Sequence, residues 1–277
     1  MFHYQLYNFH LFLLILWNNI YIKSFFLFSF GIIMGSFATM LIYRLPIILK
    51  DSFENSCIIF LNLNEKPKKI LNIYSKSSCP NCNKRIPFRY NIPLIGFIFL
   101  KGQCYYCNQK ISIKYFLIEL WFGISFFLVS ICNFNFIQIC IVISLIFILT
   151  ILSIIDYYEK FLINELVYII MFIGFLLSNK LNTNLNLHYS IIIFLINYII
   201  LNLISKIIEN LTKKETILGA GDILLISTLC EFLIPNTIFI FYIIIGLFGI
   251  IYILINNKHI IPLVPVISLS FLVVNLI

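Results

Sequence analysis

Charge is what this sequence has least of. Only 11% of its residues are Asp, Glu, Lys or Arg, against about 25% in a soluble domain. Apolar residues make up 61% of its 277 positions, and the mean hydropathy is +1.02. A globular core could not hide that much apolar surface from water, so a soluble fold is excluded and the bilayer has to be the main solvent. The polar/apolar alternation of membrane strands is missing as well, which excludes a barrel. An open strand edge cannot be satisfied in lipid, so the spanning elements have to be helices. A cleavable signal peptide is not expected. The first apolar stretch, Leu11 to Trp17, is short, follows no basic segment and lacks a small-residue cleavage site. It is expected to associate with the membrane, extending the first span.

A spanning helix needs about 20 mostly apolar residues. Runs of this kind lie near 24–44, 115–132, 136–155, 161–178, 189–208, 222–235, 237–255 and 260–277. The expectation is an all-α polytopic membrane protein of about eight transmembrane helices. The formal charge of +8 does not by itself argue for nucleic acid, and no nucleic-acid partner is expected. The useful question is where the basic residues sit. Twelve Lys and Arg lie from Arg44 to Lys114, and Lys160, Lys206, Lys213, Lys214 and Lys258 join them on the same side of an eight-span arrangement. Only Lys23 and Lys180 fall opposite. This bias makes the long polar segment cytoplasmic and turns the N-terminus outward. The basic residues there also suit anionic lipid headgroups. Three regions follow: an N-terminal segment and first span over 1–46, a cytoplasmic four-cysteine module over 47–114, and a membrane domain over 115–277. The stretch from Lys50 to Ser78, charged and Asn-rich, is expected to contain loop.

Within the polar module, Cys79-Pro80-Asn81-Cys82 and Cys104-Tyr105-Tyr106-Cys107 form two C-x2-C pairs. Each pair presents two thiolates from one tight turn, and four thiolates close the tetrahedral shell of a structural Zn2+. Reduced thiols are the cytoplasmic norm, which argues against disulfides. Four unliganded cysteines are the plainer alternative. A closed site has no open coordination position, so such a metal would hold structure and take no part in hydrolysis. Cys57, Cys132, Cys140 and Cys230 lie singly and read as small buried hydrophobes.

Eleven acidic residues make those beside apolar runs informative, because an ionisable group in lipid costs about 2.5–3.5 kcal/mol on insertion scales unless paired or solvated. Glu119, Asp156, Asp222 and Glu231 stand out. Asp156 follows the run from Ile137 to Ile155, and Asp222 ends Gly219-Ala220-Gly221-Asp222 and opens the next run. In the orientation above, both lie at cytoplasmic helix ends and can share one depth. Taken singly, Asp156 would serve equally as an interfacial acid paired with Lys160, and Asp222 as a helix cap. Taken together they suit an aspartic pair, in which one acid stays protonated while the other takes a proton from water. Helix-end electrostatics assign the ionised base to Asp222, at a helix N-terminus, and the neutral acid to Asp156, at a C-terminus. Glu54, Glu65 and Glu159 read as solvated surface or as contacts for a basic peptide. Glu231 reads as structural, and Glu119 is open between a cavity-lining and an internal role.

At these residues the chain resembles the type IV prepilin peptidase family, the GxGD-type membrane aspartic proteases of type IV pilus and type II secretion systems. Gly35-Ser36-Phe37 and Ile42-Tyr43-Arg44-Leu45-Pro46 resemble the family's first span and its exit. Asn91-Ile92-Pro93 and Lys101-Gly102 lie between the cysteine pairs, and Ile111 to Tyr115 leads on to Glu119. Asp156 with Asn164 resembles the first aspartate motif, and Gly219 to Asp222 the second. Thr39, Tyr158, Ile163, Leu224, Lys114 and Phe116 depart from the family's usual residues, and none is an aspartate or cysteine of the motifs.

The resemblance implies a bifunctional enzyme of the bacterial inner membrane with its active site toward the cytoplasm. It would cleave leader peptides from prepilins and pseudopilins and then methylate the new N-terminus with S-adenosylmethionine. It implies that Asp156 and Asp222 are catalytic, that Cys79, Cys82, Cys104 and Cys107 hold Zn2+, and that Gly102 belongs to the methyl-transfer function. Other readings are a GxGD-type protease with another membrane substrate, an inactive scaffold of the same fold, and a proton-coupled transporter.

Overall fold

The computed structural model describes residues 19–62, 67–68, 70–73, 75, 77–181, 186–212, 218–256 and 262–275. Leu11 to Trp17, Glu65, Lys213, Lys214 and Lys258 lie outside them. Nine α-helices run through the described residues: α1 Ile20–Phe60, α2 Ile95–Phe99, α3 Ile113–Ile131, α4 Phe136–Glu159, α5 Asn164–Leu181, α6 Leu187–Thr212, α7 Ala220–Cys230, α8 Pro235–Asn256 and α9 Leu263–Val274. The only β pairing among these residues is two isolated bridges. The all-α membrane architecture is as expected. The count of eight spans is not confirmed: among the described residues five helices (α1, α3, α4, α6 and α8) stand out as long and apolar enough to cross a membrane, and α5, α7 and α9 are further apolar helices.

The chain forms two compact units, Met1–Asn135 and Phe136–Ile277. In the first, α1 and α3 lie antiparallel. Small residues let the backbones approach, as membrane helices require when no water drives them together. A Cβ on Gly31 would meet the Phe122 carbonyl oxygen at 2.5 Å, and one on Gly35 would meet the Glu119 Cα at 2.8 Å. Near the other end Ser24 and Ser130 share a buried 2.7 Å hydrogen bond.

Helix α1 does not stop at its proline. Pro46 is buried inside it and the helix continues to Phe60, so the first part of the stretch expected to hold loop is helical. Its 41 residues span about 60 Å at 1.5 Å per residue, twice the thickness of a hydrocarbon core. Side chains of its far end are met by Lys68, which lies outside the helix. Asn55 accepts from the Lys68 N–H and donates to the Lys68 carbonyl, both at 2.8 Å, and Glu54 pairs with Lys68 at 2.5 Å.

In the second unit α7 is the innermost element. Ile223 and every residue from Leu225 to Cys230 are buried, and the helix packs on α5, α6 and α9. Polar ties connect its neighbours: Ser153 donates to Ser268 at 2.9 Å between α4 and α9, and the Tyr242 hydroxyl donates to Asn197 Oδ1 at 2.7 Å between α8 and α6. Glu231 caps α7 at its C-terminus and is fully buried, with no hydrogen-bond partner for either carboxylate oxygen among the described residues.

Candidate active site and metal centre

Asp156 lies one turn before the end of α4, where Lys160 takes a left-handed conformation (φ 55°) and donates its N–H to the Asp156 carbonyl at 3.0 Å. The Asp156 side chain is buried. Its Oδ2 accepts a hydrogen bond of 3.1 Å from the Val264 N–H. Val264 is the second residue of α9, after Pro262 at the cap, so this N–H has no carbonyl of its own helix to donate to. Asp156 therefore completes the start of another helix.

Asp222 stands in the first turn of α7, three residues after its cap Gly219. Its carboxylate turns back toward Gly219, as the acidic residue of a capping box does. A Cβ on Gly219 would lie 2.9 Å from Asp222 Oδ2. The next glycine is a point of close approach: a Cβ on Gly221 would lie 3.3 Å from Asn164 Oδ1 and 3.4 Å from Leu162. The Asp156 and Asp222 carboxylates come close enough for their charges to interact.

Four helix ends thus meet around the aspartates, those of α4, α5, α7 and α9. Asp156 accepts from a backbone N–H at the start of α9 and Asp222 stands in the first turn of α7, so both carboxylates lie at helix N-termini. The distinction drawn from sequence, with one acid at a positive helix end and the other at a negative one, therefore loses its basis. Val264 was not among the candidates from sequence, because a backbone donor can come from any residue type. The signal available was Pro262, a helix-start residue directly before an apolar run.

In the first unit the two cysteine turns are built alike. The Cys79 N–H donates to the Lys84 carbonyl at 3.0 Å and the Asn83 N–H to the Cys79 carbonyl at 2.9 Å, while Ser78 bridges Arg85. In the second turn the Cys104 N–H donates to Gln109 at 2.8 Å, the Asn108 N–H to Cys104 at 3.0 Å, and Gln103 bridges Lys110. Asn83 and Asn108 both take positive φ, 54° and 55°, which asparagine tolerates better than most residues. The sequence carries this duplication as Cys-x-x-Cys-Asn twice, a short internal repeat.

The two turns bring the Sγ atoms of Cys79, Cys82, Cys104 and Cys107 within 4.8 Å of one another. Cys79 and Cys107 are 3.8 Å apart, about the edge of a tetrahedron built on 2.3 Å Zn–S bonds. The Cys82 and Asn81 backbone N–H groups hold the Cys79 thiol down at about 6, and those of Cys107 and Tyr106 lower Cys104 likewise. The Lys84 backbone pulls Cys82 down too, but burial and the three neighbouring sulfurs outweigh it and raise this thiol to about 11. Four sulfurs this close cannot all ionise without a cation among them, and the donor set could hold a metal.

Gly102 has φ 69°, its N–H donates to the Phe97 carbonyl at 2.9 Å, and its carbonyl accepts from Ile111 at 2.7 Å. A Cβ there would press on the Phe97 ring at 3.0 Å. These contacts account for Gly102 as the turn that ends α2. Glu119 pins this region to α3: its Oε2 accepts from the Leu94 N–H at 2.7 Å.

Comparison with known proteins divides the chain in the same way. Residues 29–133 match the bacterial peptidase A24 N-terminal domain, and residues 143–254 match the type IV leader peptidase family. The chain is 31% identical over 205 residues to the prepilin leader peptidase/N-methyltransferase of Vibrio cholerae serotype O1, covering 72% of this chain and 73% of that protein. It is 30% identical over 254 residues to the protein of that name from Legionella pneumophila, covering 88% of each. The namesake from Dickeya chrysanthemi is 31% identical over 216 residues, 76% of each chain. No solved structure matches.

Proposed function

The chain belongs to the type IV leader peptidase family, and we propose that it is the membrane aspartic endopeptidase that removes leader peptides from prepilins or pseudopilins at the cytoplasmic face of a bacterial inner membrane. One observation carries the assignment of its active site. Two aspartates from distant helices lie within charge–charge reach, Asp156 with one carboxylate oxygen engaged by the Val264 N–H and Asp222 in the first turn of α7.

Such fixation leaves the remaining oxygens to share a proton and a water. Two like charges in one site cannot both form easily, so one carboxyl group holds the proton while the other takes one from the attacking water. The protonated acid then donates to the scissile carbonyl oxygen. Gly219, exposed beside the Asp222 carboxylate, carries no side chain to bar an approaching backbone, which suits an extended peptide substrate. The orientation rests on the excess of Lys and Arg between Arg44 and Lys114.

The four cysteines are proposed to hold a structural Zn2+, which would supply a cross-link between the two turns. N-methylation with S-adenosylmethionine is proposed on family membership. Gly102 would serve it by shaping the loop that delivers Cys104.

The experiment is mass spectrometry of a prepilin N-terminus after incubation with the purified protein and S-adenosylmethionine. A shortened, methylated product is expected. A shortened, unmethylated product would remove the methyltransferase half, and an intact leader beside an active control enzyme would overturn the peptidase reading.

A further inference from the structure

Helix α2 has two faces. Gly96 is buried, its Cα seated against the Tyr90 carbonyl where a Cβ would lie at 2.1 Å, and the Phe97 ring packs on Phe116 with centroids 5.3 Å apart. The other face carries Ile95, Ile98 and Phe99, exposed to 47%, 63% and 75%, and Phe88 in the preceding 3-10 turn is exposed to 87%. No polar side chain lies within α2. Left in water, this would be a costly surface for so small a module.

Its height relative to the bilayer follows from α3. The Leu94–Glu119 hydrogen bond and the Phe97–Phe116 contact hold α2 beside the first two turns of α3. That helix has 19 residues, about 28 Å at 1.5 Å per residue, and the hydrocarbon core is about 30 Å thick. A span this short has no turns to spare, so its first two turns lie at the edge of the hydrocarbon. An element held at their level meets lipid. The flanking charge agrees: Arg89 follows Phe88 and Lys101 follows α2, and no Asp or Glu occurs between Glu65 and Glu119. An apolar wedge bracketed by cations is the pattern of interfacial anchoring to anionic lipid, and cationic side chains can reach headgroups while their stems stay apolar.

We propose that α2 and Phe88 insert into the interface of the bilayer, with Arg89 and Lys101 among anionic headgroups. The cysteine module then lies on the membrane surface, fixed at a second point besides its chain connections. This holds whether or not the peptidase reading does, since it rests only on α3 spanning the membrane.

The test uses the full chain in nanodiscs containing phosphatidylglycerol brominated along its acyl chains, with Trp17→Phe and Trp121→Phe removing background emission. Ile98→Trp is expected to lose as large a share of its fluorescence as Leu128→Trp, on an exposed part of α3, while Lys110→Trp keeps its own. Exchanging the anionic lipid for phosphatidylcholine should weaken quenching at position 98 but not at 128. Unquenched emission from Ile98→Trp that aqueous acrylamide suppresses would overturn the proposal by placing this face in water. Emission that neither quencher reaches would overturn it by placing the face under protein, whether the other unit of the chain, a second copy or an apolar peptide. Labelling of the unaltered protein by a photoactivatable lipid, read on the tryptic peptide Tyr90–Lys101, checks the same point without substitution: label there supports insertion, and label confined to the spanning helices contradicts it.

Discussion

Asp156 and Val264 are joined by a 3.1 Å hydrogen bond that ties the end of α4 to the first turn of α9. The bond separates what Asp156 does for the fold from what it is proposed to do in hydrolysis. Asparagine keeps an acceptor for the Val264 N–H but cannot hold or give up the catalytic proton. Asp156→Asn is therefore expected to fold with near-native thermal stability and to lose cleavage by at least about 100-fold, the range of acid–base contributions. Asp222→Asn should behave alike in the same prepilin assay. Full activity in either variant would remove the aspartate pair.

Alanine at the same position makes a different prediction. Asp156→Ala leaves the Val264 N–H buried without an acceptor, a cost of about 1–3 kcal/mol. Its thermal unfolding in detergent should come at lower temperature than that of Asp156→Asn, although both are inactive. Equal midpoints would mean that this hydrogen bond contributes nothing to the fold.

The two cysteine turns predict a stoichiometric metal. Purified protein should carry one zinc per chain by elemental analysis, as a closed four-thiolate site does. Cys104→Ser should lower that content and open the stretch around Cys79–Lys110 to limited proteolysis. Chelation of the wild-type protein should do the same while leaving the helices of the second unit protected. A metal-free protein with an equally resistant module would show that the turns hold without a cross-link.

Much of this was legible because lipid leaves so few choices. Long apolar runs have to become helices, and the runs around Asp156 and Asp222 did. The cysteine pairs were legible because four sulfurs and their spacing are written in residue identity. What was hidden depends on partners far along the chain. Helix α1 continues past Pro46, and its far end is met by the Lys68 backbone through Asn55, which no local pattern announces. Val264 offers only an N–H, and an N–H has no signature in sequence. The run expected over 222–235 forms the 11-residue α7, and the reason is visible, since a helix enclosed by neighbours need not match the bilayer.

The contacts of Glu119 give a sharp test of its role. Its carboxylate accepts from Leu94 at 2.7 Å, and Leu94 itself holds a positive φ of 58°. A branched residue there is uncommon, so this N–H position depends on its acceptor. Glu119→Gln retains an acceptor oxygen and should keep α2 protected in hydrogen exchange. Glu119→Ala should speed exchange through Ile95–Phe99 while leaving the α3 amides slow.

Gly174 and Glu231 form the tightest glycine contact of the second unit. A Cβ on Gly174 would lie 2.0 Å from Glu231 Oε2, and that carboxylate is buried without a partner among the described residues. Overpacking of this kind costs about 1–3 kcal/mol, so Gly174→Ala should lower the unfolding temperature. Glu231→Ala shortens the opposing side chain and should relieve most of that loss when the two are combined, since neighbouring substitutions that share one space are not additive. Additive losses in the double variant would show that α5 and α7 do not meet through this pair, and the position of Glu231 inside the unit would have to be redrawn.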